Sequence, residues 1–307
     1  MPIVIPKDIP AFEVLTKENI FCMHSSRAAI QDIRPIEILI LNLMPTKVTT
    51  ETQLMRLLSS SPLQVNITLL QTASYKSTNT SQTHMDKFYK TFEDIKDTNF
   101  DGMIVTGAPV ETMEFSDVKY WDELCEIFDY AERRVTSSVF ICWGAQAALN
   151  YYYGIGKRLM DKKLFGVFEN HSGMENEPLL RGLDDTFNIP HSRHTEIDEK
   201  SLKEDGRLVV LASGKECGIS IAKCIGNRKF FFFGHAEYDR ETIKTEYLRD
   251  LEKGLPIEKP KNYFVNDENI DSINMSWRST AHLLFYNWLN YYLYQVTPYD
   301  IGRKSDN

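Results

Sequence analysis

A chain of 307 residues with 42% hydrophobic and 25% charged side chains can bury a sizeable core, which excludes disordered, collagen-like and coiled-coil classes. A net charge of −8 argues against a generally basic nucleic-acid-binding surface and against a polybasic membrane patch. No apolar run approaches the roughly 18 residues of a membrane span. The start MPIVIPKDIP is broken by prolines and charges and lacks a signal-peptide core, and five cysteines without a Cys-x-x-Cys pair fit free thiols in a cytoplasmic protein better than a disulfide framework or a zinc ribbon.

In chain order, residues 1–35 carry prolines and little periodicity and read as an N-terminal arm packed on the body. The β-branched run Ile36–Leu43 predicts a buried strand ended by Pro45. Thr50-Glu51-Thr52-Gln53 fits a capping box, followed by a Leu54, Leu57, Leu58 stripe. Val65–Leu70 predicts a second strand, the polar stretch Ala73–Thr83 a loop, and His84–Ile95 a helix. Gly102–Thr106 predicts a third strand stopped at Gly107-Ala108-Pro109. A long amphipathic helix over Asp117–Arg134, a fourth strand at Val139–Ile141 and a helix over Ala145–Tyr153 follow. Such alternation implies a parallel sheet with helices on both faces. From Leu164 to Gly234 the pattern is strand-rich, clearest at Leu208–Leu211, Gly218–Cys224 and Lys229–Phe233. Helices near Arg240–Leu251 and Ser276–Tyr294 close the chain. Residues 36–307 thus read as a single α/β domain with a strand-rich embellishment in its second half.

The segment Val139-Phe140-Ile141-Cys142-Trp143-Gly144-Ala145-Gln146 runs a buried strand straight into a helix with Cys142 at the corner. This is nucleophile-elbow geometry, with sulfur where other enzymes place a hydroxyl. A helix N-terminus behind the thiol favours the thiolate. Structural burial is the common fate of a free Cys and is the reading for Cys22, Cys125, Cys217 and Cys224. A thiol nucleophile needs a base and a group to orient it. His235 follows the apolar run Phe230–Phe233, and Glu237, two positions on, points to the same side of an extended chain and can orient the imidazole. Strand ends at Met44–Lys47, Gly107–Pro109, Cys142 and His235 would share the carboxyl edge of a parallel sheet, where α/β folds place their crevices. Lys47, Gly107 and Ala108 are therefore candidates to line the acyl site, with the Trp143 N–H as oxyanion donor. His191 and His194 lie near Glu196 without a further spaced ligand, so no metal is expected.

The Cys elbow with a distant His-x-Glu is similar to the class I glutamine amidotransferase superfamily, and the chain more closely resembles the homoserine O-acyltransferase family. The likeness runs through MPIVIP, SRAAIQDIRPIEILILNLMP, NFDGMIVTGAPVE, FICWGAQAALNYYYGI, PHSRHTE, GHAEYDRET and SWRSTAHLLFYNWLNYYLYQVTPYD. The resemblance implies a flavodoxin-like, class I glutamine amidotransferase-like α/β fold. It makes Cys142 the acylated nucleophile, His235 the base and Glu237 its partner, with homoserine contacts at Lys163, Ser192 and Arg249. It makes position 111 the acyl-donor discriminator, where glutamate goes with acetyl and glycine with succinyl donors; here it is Glu111. Ala236, where family members often carry Pro, touches no reacting group. Physical chemistry agrees that zwitterionic homoserine needs both charges: Glu246 and Arg249 are i, i+3 on one predicted helix, and a guanidinium can grip a carboxylate with two bonds.

The expectation is a cytoplasmic homoserine O-acetyltransferase of methionine biosynthesis, working by ping-pong acyl transfer. L-homoserine and acetyl-CoA are its substrates, with no bound cofactor, no nucleic-acid or membrane partner, and a homodimer implied by the resemblance. The alternatives are the same enzyme with succinyl-CoA, a glutamine amidotransferase-type amidase on the same triad, and a binding protein on an inactive scaffold.

Overall fold

Short strands of six or seven mostly apolar residues form the centre of the molecule. A computed structural model describes residues 3–28, 34–74, 79–266 and 269–297. The chain opens with β1 (Ile3–Val4), α1 (Pro10–Lys17), β2 (Cys22–Met23) and α2 (Ser25–Ala28). It continues through β3 (Ile36–Leu41), α3 (Lys47–Leu58), β4 (Val65–Leu70), α4 (Gln82–Phe88), β5 (Tyr89–Lys90), α5 (Phe92–Ile95), β6 (Phe100–Val105), α6 (Trp121–Arg134), β7 (Val135–Ile141) and α7 (Trp143–Tyr153). The second half holds β8 (Lys157–Ser172), β9 (Thr186–Ile197), α8 (Glu199–Glu204), β10 (Leu208–Gly214), β11 (Gly218–Cys224) and β12 (Lys229–Phe232). Then come α9 (Thr242–Glu252), β13 (Phe264–Asn266), β14 (Asn269–Ile273) and α10 (Arg278–Asn287), which passes into a π-helical turn at Trp288–Tyr294.

One sheet of twelve strands runs in the order β2-β1-β4-β3-β6-β7-β12-β11-β10-β8-β9, with β5 added to β4. From β2 to β12 the neighbours are parallel; from β12 to β9 they are antiparallel. Because β4 lies on one side of β3 and β6 on the other, the winding reverses between β3 and β6, and ligand crevices of open α/β sheets form outside the carboxyl ends of such strands. Two apolar clusters cover the two faces. One is built on Ile38, Ile40, Ile104, Trp288 and Leu289, the other on Leu39, Met103, Phe128, Phe140 and Trp143. A satellite cluster around Phe165, Tyr247, Tyr263 and Trp277 packs the β13–β14 hairpin and α9 beside β8. Among the described residues no helix is long and apolar enough to cross a membrane.

Several boundaries differ from the sequence reading. The N-terminal segment does more than pack on the body, because β1 and β2 extend the parallel sheet beyond β4; residues 1–2 and 29–33 of that segment lie outside the described residues. α3 begins at Lys47, so Thr50 and Gln53 are interior to it and form no capping box; the Thr50 hydroxyl donates to the Thr46 carbonyl and the Gln53 amide to Thr242 Oγ1. The helix expected over His84–Ile95 is split by β5, because Tyr89 pairs with Leu69 and buries its hydroxyl against Glu51. α6 starts at Trp121, after a 3-10 turn at Phe115–Asp117. Residues 75–78 of the expected Ala73–Thr83 loop lie outside the described residues, and its last residues, Gln82 and Thr83, open α4.

Candidate active site

At the carboxyl end of β7, Cys142 adopts φ +50° and ψ −115° before α7 begins at Trp143. A positive φ at a non-glycine residue costs on the order of 1–3 kcal/mol and persists where the surroundings hold it. They do so here. The Cys142 N–H donates to the Phe232 carbonyl at 2.7 Å, and the Cys142 carbonyl accepts from the N–H groups of Ala145 and Gln146. α7 presses on β6 so closely that a Cβ at Gly144 would lie 2.6 Å from the Thr106 carbonyl oxygen. Trp143 and Gly144 occupy the first helical positions, whose N–H groups have no intrahelical acceptor and face the end that favours negative charge.

β12 pairs with β7 in register Phe232↔Ile141, which brings the residues beyond β12 alongside the elbow. His235 is buried and its Nδ1 lies 2.7 Å from Glu237 Oε1. The pair does not form along an extended strand, as the sequence suggests. Residues 235–238 make a turn closed by the Tyr238 N–H donating to the His235 carbonyl, and this turn folds the carboxylate back onto the ring. Burial alone would push the His235 imidazole down; the Cys142 sulfur, within hydrogen-bonding reach, and the Glu237 carboxylate outweigh it and hold the imidazole well above its ordinary value. The Tyr238 ring stacks on His235, centroids 4.2 Å apart and planes within 14°.

β6 pairs with β7 in register Val105↔Phe140, so Gly107 falls beside Cys142. A Cβ on Gly107 would lie 3.4 Å from Cys142 Cβ and 3.5 Å from His235 Cε1; glycine leaves the space between thiol and imidazole open to an acyl group. Ala108 is buried in the apolar cluster that also holds Phe115 and Trp143.

Lys47 lines a cavity of about 250 Å³ with Asn42, Met44, Thr72, Pro109 and Val110. Its Nζ donates to the Asn42 carbonyl at 2.5 Å. The cavity stands at the β3/β6 switch point and adjoins the thiol site through Met44, whose sulfur would lie 3.7 Å from a Gly107 Cβ. Behind Lys47 is a buried polar chain: the Asn42 amide donates to Tyr89 Oη, and the Tyr89 hydroxyl and His84 Nε2 meet Glu51 Oε1 at 2.5 and 3.0 Å. Burial pushes the Lys47 ammonium down to about 8, with Glu51 opposing. A lysine depressed in the folded state destabilises the fold while charged, and stability returns as pH rises from the folded value toward the unfolded one near 10.4. Lys47→Met is therefore expected to flatten the gain in unfolding free energy between pH 7 and pH 10 by roughly 2 kcal/mol, measured by urea unfolding at both pH values. An unchanged pH dependence would mean that Lys47 is not desolvated.

The residues that the resemblance gives to homoserine gather in one place. Lys163 Nζ lies 2.7 Å from Glu246 Oε1 and 3.4 Å from Asp250 Oδ2, and the Ser192 hydroxyl donates to Glu246 Oε1 at 2.7 Å. Arg249 is half exposed. Its Nε and Nη2 donate to Asp250 Oδ1 at 2.7 and 2.6 Å, and its Nη2 stands 3.6 Å from Glu246. Its guanidinium is thus already engaged by Asp250, a residue the sequence reading missed. Lys163 lies where β8 bulges against β9: Leu159 is opposite Thr195 and Leu164 opposite Arg193, so residues 160–163 stand against the single residue His194. Glu111 does not stand free in its loop. Its Oε2 accepts from the N–H groups of His194 at 2.8 Å and Thr195 at 3.2 Å, and the Thr195 hydroxyl lies 3.1 Å away.

Sequence reasoning also missed Tyr238 and Arg193. Tyr238 stacks on His235 and is within electrostatic reach of Glu237, Cys142, Glu246 and Arg249, and its signal is the aromatic residue directly after His235-Ala236-Glu237. Arg193 is 3% exposed, donates to the carbonyls of Thr195 and Cys217, and keeps an unpartnered Nε. Burial lowers its guanidinium, and Cys142 and Glu111 are both among the groups whose charge opposes that shift. Burial raises the thiols of Cys22, Cys125 (to about 11) and Cys217, which disfavours them as nucleophiles. Among the described residues no three His, Cys, Asp or Glu side chains are grouped to hold a metal.

A mostly parallel α/β sheet with Cys142, His235 and Glu237 at its carboxyl edge has the architecture of the class I glutamine amidotransferase fold. Solved structures agree on the fold: a glutamine amidotransferase from Thermotoga maritima aligns with TM-score 0.59 at 11% identity, covering 84% of this chain and 98% of that one. Another, from Methylobacillus flagellatus, aligns with TM-score 0.53 at 11% identity, covering 84% and 95%. A family model described as Homoserine O-succinyltransferase matches residues 2–299, and the chain belongs to that family. Similar relatives are named homoserine O-acetyltransferase. That of Clostridium botulinum (strain Alaska E43 / Type E3) is 52% identical with 100% of both chains covered, and that of Acetivibrio thermocellus is 53% identical over 98% of this chain and 99% of its own.

Proposed function

We propose that this protein transfers an acetyl group from acetyl-CoA to the γ-hydroxyl of L-homoserine through an acyl-Cys142 intermediate, a step of methionine biosynthesis. The observation that carries the reading is the site as a whole: a strained cysteine elbow, an imidazole held by Glu237, and a Lys163–Ser192–Glu246–Arg249 cluster whose Glu246 and Arg249 charges reach Tyr238, the residue stacked on that imidazole. Cys142 attacks the thioester carbonyl. The oxyanion forms against the N–H groups at the start of α7, that of Trp143 first, and CoA departs as the thiol with the imidazolium proton. Homoserine then binds with its ammonium toward Glu246 and its carboxylate toward Arg249 and Lys163. His235 takes the hydroxyl proton, the alkoxide attacks the acyl-cysteine, and the thiol is regenerated. Acetyl-CoA is a co-substrate and not a bound cofactor. We place the reaction in the cytoplasm, as five free thiols favour, and in a homodimer, as the family resemblance suggests.

Glu111 carries the choice of donor. A succinyl group brings a second carboxylate toward the loop after β6, and two like charges ~4 Å apart at an effective dielectric near 20 repel by about 4 kcal/mol. After screening, ~2 kcal/mol would remain, enough for more than tenfold discrimination; an acetyl group meets no such barrier. In a steady-state assay that reads free CoA thiol, wild type is expected to prefer acetyl-CoA, and Glu111→Gly to raise succinyl-CoA kcat/KM at least tenfold while acetyl-CoA turnover falls or holds. Preference of the wild type for succinyl-CoA would overturn the acetyl reading and leave the homoserine acyltransferase reading in place.

A further inference from the structure

On α9 the buried positions Ile243, Tyr247 and Asp250 recur at i, i+4 and i+7, the spacing of a core-facing stripe. The first two join the cluster of Phe165, Tyr263 and Trp277; the third is a carboxylate, 7% exposed. A buried carboxylate is costly unless it is paired, and its two ion-pair partners are the cations assigned to the homoserine carboxylate. Oδ1 accepts from Arg249 Nε and Nη2 at 2.7 and 2.6 Å, and Oδ2 lies 3.4 Å from Lys163 Nζ. Neighbouring helical positions do not face each other, and Arg249 is half exposed, so its side chain turns back along the helix to make this contact.

Asp250 takes the edge of the guanidinium formed by Nε and Nη2, which leaves the edge formed by Nη1 and Nη2 to a second carboxylate. The group is also balanced in charge. Lys163 and Arg249 bring two positive charges, Glu246 and Asp250 two negative ones, and the pairs interlock. Lys163 Nζ meets both carboxylates, and Arg249 Nη2 bonds Asp250 and stands 3.6 Å from Glu246. Homoserine brings one charge of each sign, so its arrival leaves the balance unchanged. A ligand with a single charge unbalances a partly buried site, where charges are weakly screened.

We propose that Asp250 is a specificity-determining residue of the acceptor site. Its carboxylate cancels the second of the two cations and keeps Arg249 turned inward, so that the site takes a zwitterionic amino alcohol and rejects alcohols that carry only a carboxylate or only an ammonium. This inference rests on the homoserine acyltransferase reading and adds to it. Glu246, Arg249 and Lys163 supply the direct contacts to the two charges of the substrate; Asp250 is given no contact with it and acts through the total charge and through the set of the guanidinium.

The test uses the full-length enzyme with three acceptors that share a terminal hydroxyl: homoserine, 4-hydroxybutanoate, which lacks the ammonium, and 3-aminopropan-1-ol, which lacks the carboxylate. Wild type is expected to use 4-hydroxybutanoate more than about tenfold less well than homoserine in kcat/KM. D250N keeps the size and an acceptor oxygen and leaves the site one positive charge in excess. Its ratio of kcat/KM for 4-hydroxybutanoate over homoserine is expected to rise by about tenfold or more, mainly through KM. As competitive inhibitors of homoserine, 3-aminopropan-1-ol is expected to weaken relative to 4-hydroxybutanoate by a similar factor. Release of CoA before any acceptor is added should stay at the wild-type rate. A merely structural role would lower all acceptors in parallel, and unchanged ratios in D250N would overturn the proposal. So would a wild type that uses 4-hydroxybutanoate within tenfold of homoserine, a comparison that stands even if D250N fails to fold. A wild type that acylates none of the three, with acetyl-CoA or succinyl-CoA, would remove the homoserine reading itself and this inference with it.

Discussion

Replacing Cys142 by alanine is expected to lower acyl transfer by several orders of magnitude, as loss of a covalent nucleophile does. Mixing the wild-type enzyme with acetyl-CoA in the absence of homoserine is expected to release one equivalent of CoA and leave one acetyl group on the Cys142 peptide, seen by mass spectrometry. The argument is positional. Of the five cysteines only Cys142 stands at a strand-to-helix corner, at the head of the first-turn N–H groups of α7 and with the imidazole of His235 within hydrogen-bonding reach. Cys217 is buried among Asn170, Ser220 and the carbonyl of Glu169, with no base beside it that the mechanism could use. Acetyl recovered on Cys125 or Cys217, with Cys142→Ala still turning over, would reassign the nucleophile. The fold should tolerate the change, since alanine keeps the backbone bonds to Phe232, Ala145 and Gln146; a similar Tm for both proteins separates lost chemistry from lost structure.

How much of this could be read from the chain follows from the range of each interaction. The buried strands were legible because β-branched runs such as Ile36–Leu41 and Val65–Leu70 carry their own signal. The Cys142 corner was legible because strand, cysteine and helix are contiguous. His235 and Glu237 are close in sequence, and the structure brings them together through a turn where the sequence reading used an extended chain; local spacing alone does not fix the backbone path. The break between α4 and α5 was not legible, because its cause is Glu51, thirty-eight residues before Tyr89. The contacts of Glu111 were invisible for the same reason, since its partners lie on β9, more than eighty residues away. Strand order put Lys47 at the carboxyl edge of the sheet, but it does not tell how side chains divide the space along that edge: Lys47 lines a cavity that adjoins the thiol site through Met44.

The second large effect belongs to the pair behind the thiol. His235→Asn is expected to abolish turnover, because no other described imidazole lies beside Cys142; His191, next to the Pro190 whose carbonyl accepts from the His235 N–H, is fully buried, bonds Ser220 and is pushed well below its ordinary value by burial and by the Arg193 charge. Glu237→Ala is expected to cost roughly 10²–10⁴-fold, the range that separates a well-positioned general base from a poorly positioned one. The double variant should be little worse than His235→Asn alone, since the carboxylate acts only through the ring. The pH profile carries the sign. Burial alone would lower His235, and the Cys142 sulfur and Glu237 outweigh it and hold the imidazole high. Acylation uses the form with an imidazolium beside the sulfur, so the alkaline limb of the acylation burst reports loss of that proton. Removing Glu237 takes away one of the two charges that hold the proton on, so the alkaline limb should move to lower pH. A purely structural role for Glu237 would lower the amplitude and leave the limb where it was. A variant with wild-type rate and an unmoved limb would place the orienting acid on another residue. Stacking of Tyr238 on the same ring gives a control: Tyr238→Phe keeps the stack and both charges beside His235, and its alkaline limb should stay within experimental error of wild type.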